Sequence, residues 1–517
     1  MNVGDERSKS LWMEVEVAPQ VRALADNETA DTVVIGSGIT GLSTAYELAQ
    51  HGHEVVVLDR GRIGWGMTAR TTAHLASGSD DGFKELIDAR GVDAARQFYQ
   101  SHATAIDHIE RILQREEIGC DFYRVDGFLF LGADSDPSEL EDEYKAARQA
   151  GLMLEYADGV PLAGREETRC LRYPNQATFH PTKYLRGLAQ AIQGRGGRLY
   201  ANTAVLSVEE TDDGGVTVET ENGKRIRARH AVVATNSPIV PAAAIHSKQA
   251  PYRTYALAFS LARGALPNAL YWDTQDPYHY VRLQRSGSGK DYVIVGGEDH
   301  KSGEADDGER RYGALERWAR RMMPQLGDIT HTWSGQVLEP VDYAAFTGRV
   351  PGKTNIFMHT GDSGQGITHG VIASLIIAEM IAGGSSAWTG LYDPERKTAS
   401  SLASFIDENL SAVKKFAEHV APGDVSSFEK IKPGQGAVVR HSGKKIAAYR
   451  DEQGALVTHS AVCTHMGCQV EWNSLEGCWD CACHGSQFAP DGAVLNGPAV
   501  TPLAPEEVEA PKARKSA

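Results

Sequence analysis

Residues 32–60 of the 517-residue chain read TVVIGSGITGLSTAYELAQHGHEVVVLDR. Thr32 to Ile35 is a short apolar strand, Leu42 to Gln50 carries helical periodicity, and Glu54 to Leu58 is a second apolar strand, so the stretch opens as βαβ. Between strand and helix, Gly36-Ser37-Gly38-Ile39-Thr40-Gly41 forms a GxGxxG turn. Its glycines permit a tight turn, close approach of the backbone to a pyrophosphate, and close helix–strand packing, with the helix N-terminus facing the phosphates. Asp59, eighteen residues past Gly41, stands at the end of the second strand, where a carboxylate accepts hydrogen bonds from a ribose. The motif points to a dinucleotide and does not choose between NAD and FAD.

Outward from this unit, residues 83–118 and 139–150 have helical periodicity, and Thr182 is expected to cap a helix running to about Arg195. Arg198 to Glu209 and Val216 to Glu221 alternate like paired strands, and His230 to Ala234 is a buried strand. From Thr254 to Glu298 alternating runs predict an antiparallel sheet covered on one face. A charged helix is expected at about 306–323 and a strand at Asn355 to His359. A second glycine-rich turn, Gly361-Asp362-Ser363-Gly364-Gln365-Gly366, then opens a helix at about 367–382. Residues 383–425 read as a linker with one helix, at 391–425. From about 426 short strands alternate with glycine turns, which predicts a small all-β domain to residue 507 and a disordered tail at 508–517.

Composition excludes several classes. The formal charge of −16 argues against nucleic acid, which needs clustered Lys and Arg. The most apolar run, Val371 to Ala382, falls well short of the roughly 20 residues a helix needs to span a bilayer, and it contains Glu379. The N-terminus shows neither an apolar signal core nor a twin-arginine pair, so a cytoplasmic protein is expected.

Three further stretches narrow the nucleotide: residues 60–78 (RGRIGWGMTARTTAHLASG), the buried strand Ala231-Val-Val-Ala-Thr-Asn236, and the late turn at Gly361–Gly366. In this order the motifs resemble the D-amino-acid-oxidase-type family of FAD-dependent amine oxidoreductases, over roughly residues 30–390. The resemblance implies an α/β FAD-binding Rossmann-like domain (about 30–80, 180–240 and 340–385) with an interleaved α+β substrate domain (about 81–179 and 241–339), after an N-terminal extension at 1–29. It implies that Gly36, Ser37, Gly38, Ile39, Thr40 and Gly41 hold the pyrophosphate and that Asp59 binds the adenosine ribose. Arg60, Arg70, Thr71, Thr72, His74, Val205, Ala234 and Asn236 are further FAD-contact candidates. The late turn, with Gly361, Asp362, Gly364, Gly366, Ile367 and Thr368, would lie beside the flavin ring, where a helix N-terminus stabilises the negative charge of the reduced form.

No catalytic acid or base is identified; His74 and Arg282 are the candidates. His74 resembles the histidine through which dimethylglycine-type dehydrogenases attach FAD, although its flanking residues differ, and covalent linkage, flavin contact and ordinary packing all stay open. Arg282 is a candidate clamp for a substrate carboxylate, because a guanidinium binds both oxygens; a surface salt bridge is the alternative.

Seven cysteines are present, five of them between Cys463 and Cys483. Cys463-Thr-His465 is followed after fifteen residues by Cys481-Ala-Cys-His484. Two Cys-His pairs suit a [2Fe-2S] cluster with two thiolates on one iron and two imidazoles on the other. Zinc sites of the same composition pair Cys with Cys and His with His, so the mixed pairing disfavours zinc. Residues 463–488 resemble the Rieske subunits of cytochrome bc-type complexes, which implies Cys463, His465, Cys481 and His484 as ligands and a Cys468–Cys483 disulfide between the ligand loops. Ser486 matches a serine that donates to a cluster sulfur, and Phe488 replaces a tyrosine donor. The cluster potential is therefore expected below that of the respiratory proteins and above that of Rieske oxygenases.

Together these resemblances imply an FAD-dependent oxidoreductase acting on the C–N bond of a small amine or amino acid, with electrons leaving singly through the cluster to an external acceptor that the sequence does not name. An FAD enzyme oxidising a hydroxy acid, and an electron-transfer flavo-iron-sulfur protein, are the alternatives. A Rieske oxygenase needs a second iron site, and no Asp-x₂-His-x₄-His spacing occurs among the eighteen histidines.

Overall fold

The computed structural model describes residues 1–240, 243–287, 289–397 and 423–508. Two sheets build the body. In the first, five parallel strands run in the order Ile356–Thr360, Arg225–Val233, Glu28–Ile35, Val55–Leu58 and Arg198–Tyr200. An antiparallel strand, Phe346–Arg349, flanks one side, and the hairpin Val205–Glu210 with Val216–Thr220 extends from Arg225–Val233. Val55–Leu58 and the last four residues of Glu28–Ile35 are buried. Parallel strands covered on both faces need such continuous apolar runs.

The helices Ile39–Gln50 and Gly366–Ile381 pack against each other, and each starts just past the C-terminal end of a parallel strand. A Cβ at Gly370 would press on Ile39 and on the backbone nitrogen of Thr40, so glycine there sets how closely the helices approach. Two helix N-termini consequently open onto one crevice, the usual ligand position in such sheets.

The second sheet has nine strands. Ile329–Pro340, Gln249–Ala262, Lys290–Lys301, His279–Arg285, Leu270–Asp273, Tyr123–Phe130, Arg169–Thr178 and His74–Leu75 follow in order, with Glu155–Asp158 beside Arg169–Thr178. Neighbours are antiparallel except Leu270–Asp273 with Tyr123–Phe130. Side chains alternate between its faces. Tyr255, Leu257 and Phe259 belong to a core with Leu315 and Trp318 of the helix Gly308–Met322, whereas Thr254 and Ala256 face the crevice.

Some local expectations are corrected. The helical region at 83–118 is two helices, Phe83–Arg90 and Val92–Arg115, broken at Gly91 with φ +82°. His180, not Thr182, caps the helix Pro181–Gly194. Pro181 takes the first helical position, and the Thr182 hydroxyl instead donates to the carbonyl of Trp12 at 2.8 Å. The strands Tyr123–Phe130 and Arg169–Thr178 were not anticipated. Most of the expected 391–425 helix, and all but residue 508 of the tail, lie outside the described residues.

The C-terminal domain is all-β, a three-stranded sheet (Gln435–His441, Lys444–Arg450, Leu456–Ser460) and a four-stranded one (Val470–Asn473, Cys478–Cys481, Gln487–Phe488, Val494–Asn496). Residues 1–17 join it to the body. Trp12 is fully buried in the body core, and Arg7 donates to the carbonyls of Ser474 and Gly434. A buried charge network closes the seam. Arg70 pairs with Glu6 at 3.1 Å and with Glu476 at 3.3 Å, and Arg253 pairs with Asp480 at 2.8 Å. Ser8 and Ser334 hydroxyls each donate to Glu476 at 2.5 Å. Charges this deeply buried persist only when paired and hydrogen-bonded. No helix among the described residues is long and apolar enough to cross a membrane.

Candidate functional site

The crevice between the two sheets deepens into an elongated cavity that begins at the GxGxxG turn. Gly36 has φ +100°, and a Cβ there would collide with the Ala234 carbonyl; a Cβ on Gly41 would collide with the Gly36 carbonyl. Both positions therefore need glycine. Gly36, Ser37, Gly38, Ile39 and Thr40 line the cavity, while Gly41 packs beneath the turn. Asp59 accepts from Ser37 N at 2.9 Å, from the Ser37 hydroxyl at 2.5 Å and from Gly61 N at 2.9 Å. These bonds fix the carboxylate at the cavity edge beside Arg60.

Further along, Thr71, Thr72, His74, Val205, Ala234 and Asn236 line the cavity, as do Asp362, Gly364, Gly366 and Ile367 at the far end. Gly361 and Thr368 do not. Gly361 ends its strand against Gln249, and the Thr368 hydroxyl is engaged inside the helix layer with His102 Nδ1 at 2.8 Å. Arg70 lines the cavity, yet its guanidinium is turned into the seam with Glu6 and Glu476, where it also donates to the carbonyls of Val3 and Ser334.

Arg282 is corrected as a carboxylate clamp. It is fully buried outside the cavity lining and donates to the carbonyls of Ala73 at 2.7 Å and Phe179 at 3.0 Å, and to Gln284 Oε1 at 2.5 Å. It cross-ties backbone rather than meeting a ligand. His74 stands edge-on to Tyr280 with ring centroids 5.4 Å apart; its Nδ1 meets the Thr72 hydroxyl at 3.2 Å, and its buried Nε2 has no partner. Burial, then the charge of Arg282, pushes its pKa down to about 3, so the imidazole is neutral.

The cavity fits a nucleotide on its own features: a glycine turn that cannot carry Cβ atoms, a carboxylate just past the end of the second strand, and two helix N-termini. Lining residues that sequence reasoning missed include Asn2, Asp80, Asp299, Tyr278 and Gln336. They stand singly on distant segments, and no motif marks them.

The second centre lies in the C-terminal domain. Cys463 and His465 sit on one loop; Cys481 ends a strand, and His484 follows in the next loop. The rings of His465 and His484 are 5.0 Å apart and perpendicular, and His465 Nδ1 is buried without a partner. Cys463 and Cys481 are free thiols within hydrogen-bonding reach of each other. That contact, with the His465 backbone and the Ser486 hydroxyl, outweighs burial and holds the Cys463 thiol down to about 7. Two facing thiols and two facing imidazoles, one with an orphaned nitrogen, are a donor set that fits a two-iron cluster. Cys468 and Cys483 form a disulfide with Cα atoms 6.4 Å apart, linking the two loops. Ser486 is fully buried, and Phe488 lies in the core of this domain. On the body side, His246 packs against both His465 (4.8 Å) and His484 (5.7 Å).

Gln336 connects the two centres. It lines the cavity, its Oε1 accepts from Asn236 Nδ2 at 3.3 Å and Asn496 Nδ2 at 3.0 Å, and its Nε2 donates to the carbonyl of Gly485. Leu495, Asn496 and Gly497 of the C-terminal domain complete the cavity wall.

Comparison with known proteins agrees with both centres. Residues 31–380 match the family model described as FAD dependent oxidoreductase, and residues 422–507 match that of the Rieske [2Fe-2S] domain. Over 504 residues the chain is 29% identical to the Rieske 2Fe-2S iron-sulfur protein YhfW of Bacillus subtilis (strain 168), covering 96% of this chain and 97% of that one. It is also 29% identical, over 377 residues, to the gamma-glutamylputrescine oxidoreductase of Escherichia coli (strain K12), covering 70% of this chain and 85% of that one. The structure of glycine oxidase from Geobacillus kaustophilus superimposes on 72% of this chain and 100% of its own with a TM-score of 0.59 at 17% identity, a likeness of fold.

Proposed function

The chain belongs to the FAD dependent oxidoreductase family, and from that premise we propose that it oxidises the C–N bond of a small amine or amino acid and discharges the electrons one at a time through its own Rieske centre. It is an FAD-dependent oxidoreductase of the amine and amino-acid oxidase type carrying a [2Fe-2S] domain. When bound, FAD would supply a hydride acceptor for the carbon beside nitrogen, and the cluster a one-electron exit toward an external acceptor. The substrate becomes an imine, which water hydrolyses to a carbonyl compound and the released amine or ammonia.

The protein's part is to hold and orient. In this reading the Gly36–Gly41 turn and the helix behind it meet the pyrophosphate, Asp59 orients the ribose, and the turn at Gly364–Gly366 aims a helix N-terminus at the charge on the reduced ring. Cys463, His465, Cys481 and His484 hold the cluster, with the Ser486 hydroxyl on the Cys463 sulfur. Tyr278, Tyr280 and Trp272 wall the cavity with aromatic surface.

One observation carries the proposal. A single side chain, Gln336, is hydrogen-bonded both to Asn236 in the cavity and to Gly485, the residue after His484. The contact sets the ligand loop of the cluster against the cavity wall, the proximity that electron transfer between the two centres requires. Anaerobic addition of amines and amino acids to the holoenzyme tests the reading. The flavin absorbance should bleach, and the low-temperature EPR signal of the reduced cluster should follow. Reduction by dithionite alone would leave an electron carrier, and reduction by hydroxy acids alone would leave a different substrate class.

A further inference from the structure

We infer that the substrate is a cationic amine that keeps a second positive charge away from the reacting nitrogen and bears no carboxylate, a diamine or polyamine held by Asp80 and Asp299. The inference rests on the amine-oxidation reading above and names the substrate class of the same site.

The charges around the inner cavity carry it. Asp80 and Asp299 line the cavity on opposite segments, the loop after His74–Leu75 and the strand Lys290–Lys301. Asp80 Oδ2 accepts from the Tyr278 hydroxyl at 2.8 Å, and a Cβ on Gly364 would strike that carboxylate, so Asp80 lies on the turn that opens the helix Gly366–Ile381. Behind it the Ser363 hydroxyl lies between Asp81 Oδ2 at 2.6 Å and Glu339 Oε2 at 2.8 Å, and its one proton serves one of them at a time. Asp80 and Asp299 thus face one end of the cavity, with Asp81 and Glu339 behind them outside its lining. Among the described residues none of the four forms an ion pair with a lysine, arginine or histidine.

Two polar groups at this end are also unanswered. The Asp299 Oδ1 atom is buried without a hydrogen-bond partner. Ser79, only 9% exposed and lining the same wall, has a hydroxyl with no partner. A buried acceptor left unpaired is costly, and a donor cation supplies what both lack. Burial raises the Asp299 carboxyl to about 7 against the opposing pull of the Thr254 hydroxyl and the Arg311 charge.

The cations that a substrate carboxylate would need are elsewhere. The lining contains no lysine, and neither of its two arginines serves this end. Arg60 follows Asp59 at the nucleotide end, and Arg70 is spent on Glu6 and Glu476. Arg282 is bound to backbone carbonyls outside the lining. An amino-acid substrate would bring its carboxylate toward Asp80 and Asp299 with nothing to receive it. An ammonium finds two carboxylates together with the faces of Tyr278, Tyr280 and Trp272, which also attract cations.

The test is an anaerobic stopped-flow panel on the holoenzyme, with 1,4-diaminobutane, spermidine, butylamine, glycine and sarcosine, following flavin bleaching. Diaminobutane or spermidine should saturate at a concentration about tenfold or more below butylamine, as expected for an added charge contact in a partly buried site. Glycine and sarcosine should be the poorest. Asp299→Asn and, separately, Asp80→Asn should each pull the diamine-to-butylamine ratio toward one. Glycine or sarcosine matching the diamines, or a ratio unmoved in both variants, would overturn the inference while leaving amine oxidation intact. Bleaching by hydroxy acids with none from any nitrogen compound would overturn both.

Discussion

The side-chain amide of Gln336 donates to the backbone carbonyl of Gly485 at 3.0 Å. Gln336 belongs to the strand Ile329–Pro340 of the body and Gly485 to the ligand loop of the iron-sulfur domain, so this bond spans the two cofactor-binding units. The fit is close, since a Cβ on Gly485, which has φ +82°, would press on the Gln336 amide.

Gln336→Leu should therefore separate two rates. Flavin bleaching by substrate depends on the other end of the cavity and should persist, while appearance of the reduced-cluster signal should lag behind it. Replacing the amide strands the Gly485 carbonyl and the Asn496 amide in a buried seam, at a cost of roughly 1–3 kcal/mol. Two-wavelength stopped flow with freeze-quench EPR reads the lag. Equal slowing of both phases would deny Gln336 its bridging part.

The charge network at the seam makes a pH prediction. Burial alone would raise the Glu476 carboxyl, but Arg70, Arg253 and the Ser334 and Ser8 hydroxyls outweigh it and hold the pKa at about 2, below the ordinary 4.5. Its stabilisation is complete above pH 4.5 and fades as pH falls toward 2. Glu6 goes the other way, since burial outweighs Arg70 and lifts it to about 7. The folded protein then keeps a proton that the unfolded chain releases, and stability declines as pH rises from 4.5 to 7. Glu476→Gln should cost roughly 3–5 kcal/mol at neutral pH by leaving buried guanidinium groups under-paired. Glu6→Gln should flatten the decline between pH 4.5 and 7. Thermal unfolding followed across pH 3–8 would show both.

What the sequence made legible is what chemistry concentrates locally. Gly36, Gly41 and Asp59 lie within 24 residues, and Cys463 to His484 within 22, so spacing alone carries their meaning. The seam between the domains has no such signature. Glu6 and Ser8 sit in an unremarkable N-terminal stretch, and their role depends on Arg70 and Glu476 folding onto them. Asp80, in the string SGSDDG, reads as part of a solvated turn until Asp299 comes to the same wall. Arg282 misled for a related reason: period-two alternation tells which residues share a face, not whether that face meets ligand or carbonyl groups.

Asp59 gives a prediction about the nucleotide. Its carboxylate receives Ser37 and Gly61 and stands at the cavity edge, so Asp59→Ala loses both an organiser of the turn and an acceptor for the ribose. FAD binding should weaken by about 1.5–3 kcal/mol, roughly ten- to a hundredfold in Kd. Flavin fluorescence released on dilution measures it. The iron content should not follow, because the cluster donors lie on other loops.

Cysteine variants should divide the five cysteines of the C-terminal domain by function. Cys463→Ser or Cys481→Ser removes a thiol from the four-donor set and should abolish the cluster's EPR signal and its iron while FAD remains bound. Cys468→Ser and Cys483→Ser act differently, because the disulfide holds the loops that carry the ligands without belonging to the donor set. Its loop spans a sequence separation of 15, and closing a loop of that size is worth about 3 kcal/mol. These variants should still load iron but lose it faster to a chelator, with the domain unfolding at lower temperature. Cys478, buried between Glu6 and Asp480, is a packed thiol in this scheme. Cys478→Ala should keep the EPR signal, and its loss there would move Cys478 into the ligand set.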